Sequence, residues 1–544
     1  MKKNIKEVSG NIVDVLNSKV YSGTIKISDK RIVDIVKENN ENETYIVPGL
    51  IDSHIHIESS MLPPSEFSRI AAIHGTVAAI SDSHEIANVL GGEGVKYMIE
   101  DANAVPMKFY FSAPSCVPAT LFETSGAVLD PAEVERLLML EEIKYLGEVM
   151  NFPGVLNNDP VINRKMAIAK KYAKLIDGHA PGLSDKDLEK YVSSGISTDH
   201  ECFTKNEALE KISLGMKVQI REGSAARNFD ELIPIVEDQY ESCMFCSDDK
   251  HPDELVKGHI NGLVKRALNY GIDVIKILKV ASINPVLHYG LDVGLLRVGD
   301  YADFIEVDNL NDFNILKTFV NGEIVAEEGT SLISRRPSKI INNFNAGKKK
   351  VIDFSIQYKN RNINVIEVID GQLITGKLVT TPKVVNGYAV SDVGRDILKI
   401  AVVNRYKDEK VAIGFVKNFG ITKGAIASSV AHDSHNIIAV GATDEDICRA
   451  VNLIIEKKGG ITAVSGEKEI ALLLPIAGIM SNQEYSIVAK KYIEIDDMAK
   501  SMGSKLHAPF MTLSFMALIV IPKIKLSDKG LFDVEKFEFI DIFE

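Results

Sequence analysis

The order of apolar and polar residues divides the chain into three kinds of segment. Over residues 1–47, apolar and polar residues alternate in short runs, which predicts small β-strands. From residue 48 to 285, short apolar runs alternate with helical stretches, the pattern of parallel βα units. The β pattern returns in residues 286–340, so we expect this segment and residues 1–47 to form one small β-domain. The clearest strands of the first segment are 11–15, 23–27 and 31–36.

The central segment contains eight apolar runs that read as strands. They are 50–56, 77–82, 108–112, 145–149, 175–179, 196–200, 217–222 and 242–248. Eight strands within about 240 residues match the size of a closed (β/α)8 TIM-like barrel. A polar, basic stretch at 342–350 is typical of a linker, and residues 350–544 mix strands with helices. The predicted fold class is therefore α/β, a barrel with a small flanking β-domain and an additional C-terminal α/β domain.

Composition narrows the class of protein further. A net charge of −13, from 62 Lys+Arg and 75 Asp+Glu, argues against nucleic acid or an anionic membrane as the main partner. Five cysteines do not make a disulfide framework, and residues 1–6 lack the apolar run of a signal peptide. The longest apolar stretch, 511–521, is too short to cross a bilayer. We therefore expect a cytoplasmic protein.

Candidate chemistry begins with His54 and His56 at the end of the first predicted strand. Side chains on a strand alternate between its faces, so the two imidazoles point the same way, and Asp52 shares that face. A His-x-His pair is equally typical of an ordinary half-buried strand, because two ligands do not make a metal site. The other ligands must come from elsewhere in the chain.

Further residues able to bind a metal ion occur at the ends of later strands, where the active sites of parallel barrels lie. Together with His54 and His56 they provide four imidazoles and two carboxylates. Such a mixed set suits Zn, Fe or Mn, and a bridging carboxylate can hold two metal ions. A purely structural role is hard to reconcile with six metal-binding residue types at the ends of five predicted strands. The additional residues are Glu148, His179, His200 and Asp248.

The order of these residues is similar to that of the metal-dependent amidohydrolase superfamily. Within it, several blocks of sequence closely resemble the adenine deaminase family, and the likeness extends through the C-terminal domain. Ser83 departs from the family pattern, in which we expect proline, and this change affects loop stiffness rather than a ligand. The blocks are DSHIHIESSM at 52–61, DSHEIANVLG at 82–91, GEVMN at 147–151 and REGSAA at 221–226.

The resemblance implies a binuclear centre of all six residues, with Glu148 as the bridge and Mn²⁺ as the metal. Fe²⁺ and Zn²⁺ are alternatives, because the same ligands accept them. Many superfamily members use a carboxylated lysine as the bridge, and Lys144 lies on the same strand face as Glu148. Face counting leaves both residues open, and the match at 147–151 favours Glu148. The implied reaction is attack of a metal-activated hydroxide on C6 of adenine, giving hypoxanthine and ammonia for purine salvage or catabolism.

Individual roles also follow from the resemblance. Asp248 lies where a carboxylate can take the proton from the attacking water and pass it on. His84 and Glu85 are candidates for protonating the ring nitrogen beside C6 or for supporting the ligands, and the sequence does not separate these roles. Arg221 could equally pair with a neighbouring carboxylate. Three residues at the end of the seventh strand are candidates for substrate contact: Arg221, Glu222 and Ser224.

Two weaker motifs lie outside this set. Cys243 and Cys246 have a spacing used by zinc and redox sites, but in a strand an offset of three places the thiols on opposite faces. We expect them to pack in the core. His432 and His435 cluster beside Asp433, for which we favour a loop over the barrel mouth. A separate metal site and a structural turn are the alternatives.

Two other functions compete with adenine deamination. The same barrel and metals could act on another cyclic amide or amidine, such as a hydantoin or dihydropyrimidine, because the pocket and not the fold sets the substrate. A catalytically inactive interaction module is disfavoured, since all six expected ligands are present. The sequence has no obvious interface stripe, so a homo-oligomer is only the default expectation.

Overall fold

The computed structural model describes residues 5–38 and 42–544. Residues 1–4, part of the stretch used to argue against a signal peptide, lie outside the described residues. Within these ranges, an eight-stranded sheet joins both flanks of the barrel segment, because the strand before the barrel pairs antiparallel with the first strand after it. In spatial order its strands are Thr330–Ser331, Glu323–Glu327, Ile315–Val320, Phe304–Val307, Tyr45–Pro48, Lys6–Asp14, Lys19–Ser28 and Arg31–Lys37.

Eight short parallel strands of the described chain form the barrel, as two hydrogen-bonded sheets of five and three. Backbone hydrogen bonds join the two sheets, from Ser197 N to Ile176 O at 2.9 Å and from Asp248 N to His54 O at 2.9 Å. The predicted barrel is therefore confirmed, with each strand within a few residues of its expected bounds. The strands are Leu50–Ile55, Thr76–Ser81, Lys108–Ala113, Ile143–Val149, Leu175–Gly178, Thr198–Asp199, Lys217–Arg221 and Cys243–Cys246.

Helices connect the barrel strands and cover their outer faces. Carboxylate caps mark where some of them begin; the Asp159 side chain, for example, accepts hydrogen bonds from Val161 N and Ile162 N ahead of a helix that starts at Pro160. The α-helices are Pro64–Ile73, His84–Leu90, Gly92–Ala102, Pro131–Leu138, Phe152–Leu156, Pro160–Lys171, Asp185–Ser193, Lys205–Ser213, Phe229–Leu232, Val236–Gln239, Pro252–Leu255, Ile260–Tyr270, Val274–Leu278 and Asn284–Tyr289.

The C-terminal domain is built on a second eight-stranded sheet within residues 42–544, antiparallel except for one parallel pair. In spatial order its strands are Thr375–Thr380, Ile363–Val368, Ala412–Lys417, Ile397–Val403, Ile437–Gly441, Ala425–Ser428, Gly460–Ser465 and Lys468–Leu473. Alternate residues of a strand face opposite sides, so Ala401 packs with the helix Asp444–Lys457, whereas Ile400 joins the large cluster shared with the barrel.

Smaller elements complete this domain and close it against the barrel. The helices Tyr485–Ser501 and Pro509–Phe515 lie on the side of the sheet that faces the barrel. Two three-stranded sheets are formed by Ile356–Gln357, Tyr388–Val390 and Lys383–Val385, and by Ile524–Ser527, Gly530–Asp533 and Glu538–Phe539, within the part of the chain described.

The segment between the two sheet domains has no regular secondary structure from residue 332 to 350. Phe344 within it is nevertheless buried against the C-terminal sheet. The domain boundaries at 47, 285 and 340 stay predictions.

Residues 511–521 are almost entirely buried, and among the described residues no helix combines the length and apolar character needed to cross a bilayer.

Candidate metal centre

Asp52 ties the first and eighth barrel strands together beneath the centre. Its Oδ1 accepts hydrogen bonds from Ser247 N at 3.0 Å and from His54 N at 3.3 Å. Its Oδ2 lies 2.7 Å from His259 Nε2. These bonds fix the backbone at His54 and at Ser247, the residue before Asp248. Asp52 therefore orients the site through the main chain and does not contact the His54 ring.

Glu148 occupies the middle of the cluster. Its Oε2 lies 2.7 Å from His179 Nδ1 and 3.3 Å from His200 Nε2. Its Oε1 lies 3.2 Å from His56 Nε2 and 4.0 Å from His54 Nε2. One carboxylate oxygen thus faces each pair of imidazoles, which is the arrangement that a carboxylate bridging two metal ions requires.

Asp248 completes the side that carries His54 and His56. Its Oδ1 lies 3.1 Å from His56 Nε2 and 3.8 Å from His54 Nε2. Its Oδ2 accepts from Arg221 Nη1 at 2.6 Å, and the same guanidinium binds both oxygens of Glu201. The second carboxylate of the cluster is therefore held in place from behind by a fully buried cation.

The donors of this cluster fit a divalent metal ion. Both ring nitrogens of His54 and Nδ1 of His200 are buried and have no hydrogen-bond partner among the described residues. Buried polar atoms are normally satisfied, so these atoms indicate a bound group. The potential ligand atoms of His54, His56 and Asp248 lie within 4.8 Å of one another, as do those of His54, Glu148 and His200.

The charges of the cluster compensate one another. Burial would raise the pKa of Glu148, but the surrounding imidazoles, His179 foremost, hold it well below its ordinary value. Burial also opposes ionisation of Asp248, yet Arg221 holds that pKa well below its usual range. Burial, aided by His200, lowers the pKa of His54 to about 3, whereas the cluster carboxylates outweigh burial and raise the pKa of His56 and, to about 9, that of His200. A neutral imidazole is the form that binds a metal ion, so a metal ion would displace the protons of the latter two.

The positions of Lys144 and of two cysteines bear on the alternatives to this centre. Lys144 is only half-buried and does not line the cavity above the cluster, whereas Glu148 does. Cys243 and Cys246 are free and buried within one strand, and burial raises the pKa of the Cys243 thiol to about 12. The prediction that these cysteines pack in the core is confirmed.

His84 lies beside the Glu148 carboxylate. Its Nδ1 is 3.5 Å from Glu148 Oε1 and 3.6 Å from Asp82 Oδ1, and its Nε2 is 3.4 Å from Glu85 Oε1. Asp82 in turn accepts from Glu148 N at 2.8 Å and from Ser112 Oγ at 2.8 Å. Both sequence-predicted catalytic residues of the second strand end, His84 and Glu85, therefore reach the cavity.

The C-terminal domain covers the mouth of the barrel. The imidazoles of His432 and His435 each contact one oxygen of Glu85. The His432 ring stacks on Phe515, with centroids 4.5 Å apart and an interplanar angle of 21°. The predicted loop over the barrel mouth is confirmed. The cavity beneath it has an apolar wall formed by Met150, Leu373, Phe515, Leu518 and Ile521.

The three candidates for substrate contact do not line this cavity. Arg221 forms ion pairs with two buried carboxylates, Glu201 and Asp248. Glu222 pairs with Arg266 Nη1 at 2.6 Å, and Ser224 Oγ accepts from His251 N at 2.9 Å. The structure thus gives these three residues supporting contacts and brings none of them to the cavity.

Three carboxylates that the sequence did not assign do line the cavity: Glu201, Asp249 and Asp433. Glu201 and Asp249 each follow a predicted ligand, where the chain leaves the strand and passes along the barrel mouth. Their position next to a ligand is the signal that could have identified them. Asp433 comes from the other domain, and only its place between two histidines marks it in the sequence.

Comparison with known proteins agrees with this architecture. The amidohydrolase family matches residues 45–325, and the adenine deaminase C-terminal domain matches residues 372–538. The first match covers more than half of the chain, so the protein is a member of the amidohydrolase family.

Relatives that match nearly the whole chain identify the family within this class. Adenine deaminase from Methanosarcina mazei is 51% identical over 99% of this chain and 100% of that protein. Adenine deaminase from Sulfurovum sp. is 52% identical over 98% of this chain and 99% of that protein. Among solved structures, a β-aspartyl dipeptidase from Fervidobacterium islandicum AW-1 has a TM-score of 0.46 at 15% identity, covering 60% of this chain and 98% of that chain. The chain belongs to the adenine deaminase family.

Proposed function

We propose that this protein deaminates adenine, so that adenine and water give hypoxanthine and ammonia. The observation that carries this function is the likeness to adenine deaminases over 98–99% of the chain, which includes the C-terminal domain that closes the cavity. An apolar wall on one side of the cavity and polar groups on the other suit a flat, nitrogen-rich base.

Six side chains would hold two divalent metal ions, with the Glu148 carboxylate between them. We propose Mn²⁺, with Fe²⁺ and Zn²⁺ as alternatives that the same donors accept. When bound, such ions lower the pKa of water towards about 7 and so supply a nucleophile at neutral pH. The six are His54, His56, Glu148, His179, His200 and Asp248.

The remaining chemistry is proton transfer by the protein. Asp248, kept ionised by Arg221, accepts the proton of the attacking water and returns it to the departing amine. Burial lowers the pKa of His84, but Glu85 and Asp82 outweigh it and raise that pKa well above its ordinary value. This shift favours the imidazolium form of His84, which we propose donates its proton to the ring nitrogen beside C6, with Glu85 stabilising its charge.

The test is the ultraviolet spectral change as adenine becomes hypoxanthine, recorded with Mn²⁺ or Fe²⁺ added and paired with ammonia release. We expect turnover by the wild-type protein, and an Asp248→Asn variant that keeps its metal but loses most of kcat. Turnover of a hydantoin or dihydropyrimidine without turnover of adenine would favour the other amidohydrolase function. Bound metal with no turnover of any of these substrates would favour an inactive module.

We place the reaction in purine salvage or catabolism. The cytoplasmic location and the expectation of no nucleic-acid or membrane partner stay predictions from composition. A homo-oligomer stays the default expectation for the assembly.

A further inference from the structure

Asp433 brings a buried carboxyl from the C-terminal domain to the wall of the cavity. The residue is 2% exposed, and its Oδ1 lies 3.9 Å from His84 Nε2. Its Oδ2 has no hydrogen-bond partner among the residues that the structure describes. Leaving a buried carboxyl oxygen without a donor costs free energy, so a donor from a ligand is expected at this position.

The neighbours of Asp433 do not supply that donor. Burial, with a smaller contribution from Glu85, raises the pKa of Asp433 to about 7, although His84 opposes the shift. Glu123 also faces this carboxyl, and burial together with Asp433 raises the pKa of Glu123 well above its ordinary value. One oxygen of each carboxyl, Asp433 Oδ2 and Glu123 Oε2, has no hydrogen-bond partner among the described residues.

Among the described residues, the rest of the C-terminal wall offers a substrate no other side-chain acceptor. His432 contacts Glu85 through its Nδ1, and its Nε2 has no hydrogen-bond partner. Burial opposes the protonation of His432, but Glu85 and Asp249 raise its pKa to about 9, so Nε2 is a donor and not an acceptor. The other residues that this domain contributes to the cavity are apolar: Leu373, Phe515, Leu518 and Ile521. Asp433 is therefore the acceptor that remains on this side for an N–H group of the bound molecule.

We propose that Asp433 Oδ2 accepts a hydrogen bond from the N9–H of the purine base. This inference rests on the proposed deamination of adenine. In a purine, C6 and N9 lie on opposite sides of the fused rings. In the protein, the His84 ring lies between the two carboxyls, 3.5 Å from Glu148 Oε1 through Nδ1 and 3.9 Å from Asp433 Oδ1 through Nε2. A base with C6 near Glu148 can therefore extend past His84 and present N9–H to Asp433.

The experiment compares adenine with 9-methyladenine, in which a methyl group replaces the N9 proton. Turnover of each, or inhibition of adenine turnover by 9-methyladenine, is measured with the metal-loaded wild type and with Asp433→Ala and Asp433→Asn. For Asp433→Ala we expect kcat/KM for adenine to fall about 10- to 100-fold, the effect of losing a hydrogen bond to a charged group. The value for 9-methyladenine should not fall, so selectivity falls by the same factor. Asp433→Asn keeps a carbonyl acceptor and should be intermediate.

Asp528→Asn is the matched control, because Asp528 is also buried but binds Thr124 N and Asn404 Nδ2 away from the cavity. It should leave the selectivity unchanged. An equal loss on both bases, or loss of bound metal from the Asp433 variants, would overturn the inference. If Asp433→Ala does not fold, Asp433→Asn carries the same comparison. A wild-type protein that does not deaminate adenine refutes the proposed function, whereas unchanged selectivity in an active enzyme refutes only the role of Asp433.

Discussion

Arg221 Nη1 lies 2.6 Å from Asp248 Oδ2, and both side chains are buried at the base of the site. The same guanidinium also binds Glu201, so one cation serves two carboxylates. Removing one partner of a buried ion pair leaves an uncompensated charge, which is far more costly than losing a surface pair. The acidity of Asp248 therefore depends on a residue that does not line the cavity.

Replacing Arg221 with Met removes this charge while keeping a long side chain. We expect the free energy of unfolding to fall by about 3–5 kcal/mol. The depressed pKa of Asp248 should rise, so a higher pH is needed to ionise it, and the acid limb of the kcat profile should move to higher pH. Thermal unfolding and a pH profile of kcat measure the two effects.

Arg266→Met is the control for Arg221→Met, because Arg266 pairs with Glu222 at a partly exposed position outside the cavity. It should change stability by less than about 1 kcal/mol and leave the pH profile in place. An Arg221→Met profile identical to the wild-type profile would show that the ion pair does not set the acidity of Asp248.

Glu148→Gln tests the bridging carboxylate. Gln has nearly the same shape but only one oxygen and no charge, so the imidazoles on its two sides lose their common partner. We expect the metal content to fall from about two ions per chain to one or none, and kcat to fall at least about 100-fold. Elemental analysis of the purified protein gives the first value. Lys144→Met is the control and should retain both ions; metal loss in that variant instead would identify the lysine as the bridge.

Much of this centre could be predicted from the sequence, because its ligands follow the periodicity of the barrel. His54 and His56 share a strand face, and the other ligands end later strands at intervals of one βα unit or more, so their convergence follows from the fold. Glu222 was harder to place, since the strand ends at Arg221 and the chain then turns back to bridge Glu222 with Arg227. Periodicity does not extend into such a turn.

Contacts between the domains could not be predicted in the same way. Glu85 meets His432 and His435 although nearly 350 residues separate them in the chain. Asp433 acquires its position only when the C-terminal sheet packs over the barrel mouth. No local pattern specifies which loop of one domain lies on which strand end of the other.

Phe515→Ala tests the apolar wall. The Phe515 ring stacks on His432 and faces the cavity, so its removal opens the wall and frees His432. An aromatic stacking contact contributes about 0.5–1.5 kcal/mol beyond the area it buries. We expect KM for adenine to rise about 10-fold or more while the metal content stays the same, as measured by steady-state kinetics. Phe537→Ala removes a phenylalanine that is 54% exposed and should leave KM unchanged. A large loss of kcat at constant KM would contradict the role of Phe515 in binding.

Lys525 joins two segments of the apolar cavity wall through hydrogen bonds. It is fully buried, and its Nζ donates to Leu373 O at 2.7 Å and to Phe515 O at 3.0 Å. Both residues line the cavity, and they belong to segments far apart in the chain. Burial lowers the pKa of Lys525 to about 7, and no carboxylate contributes to this shift.

Lys525→Met should change how stability depends on pH. Between about pH 7 and pH 10 the unfolded state binds a proton at this lysine and the folded state does not, so the group makes stability rise with pH. Below about pH 7 both states are protonated and the contribution is constant. We expect the stability of the wild type relative to Lys525→Met to increase by about 2 kcal/mol from pH 7 to pH 9, as measured from thermal midpoints. Lys523→Met removes an exposed lysine of the same segment and should give a constant difference. A constant difference for Lys525→Met would mean that Lys525 stays protonated when the protein is folded.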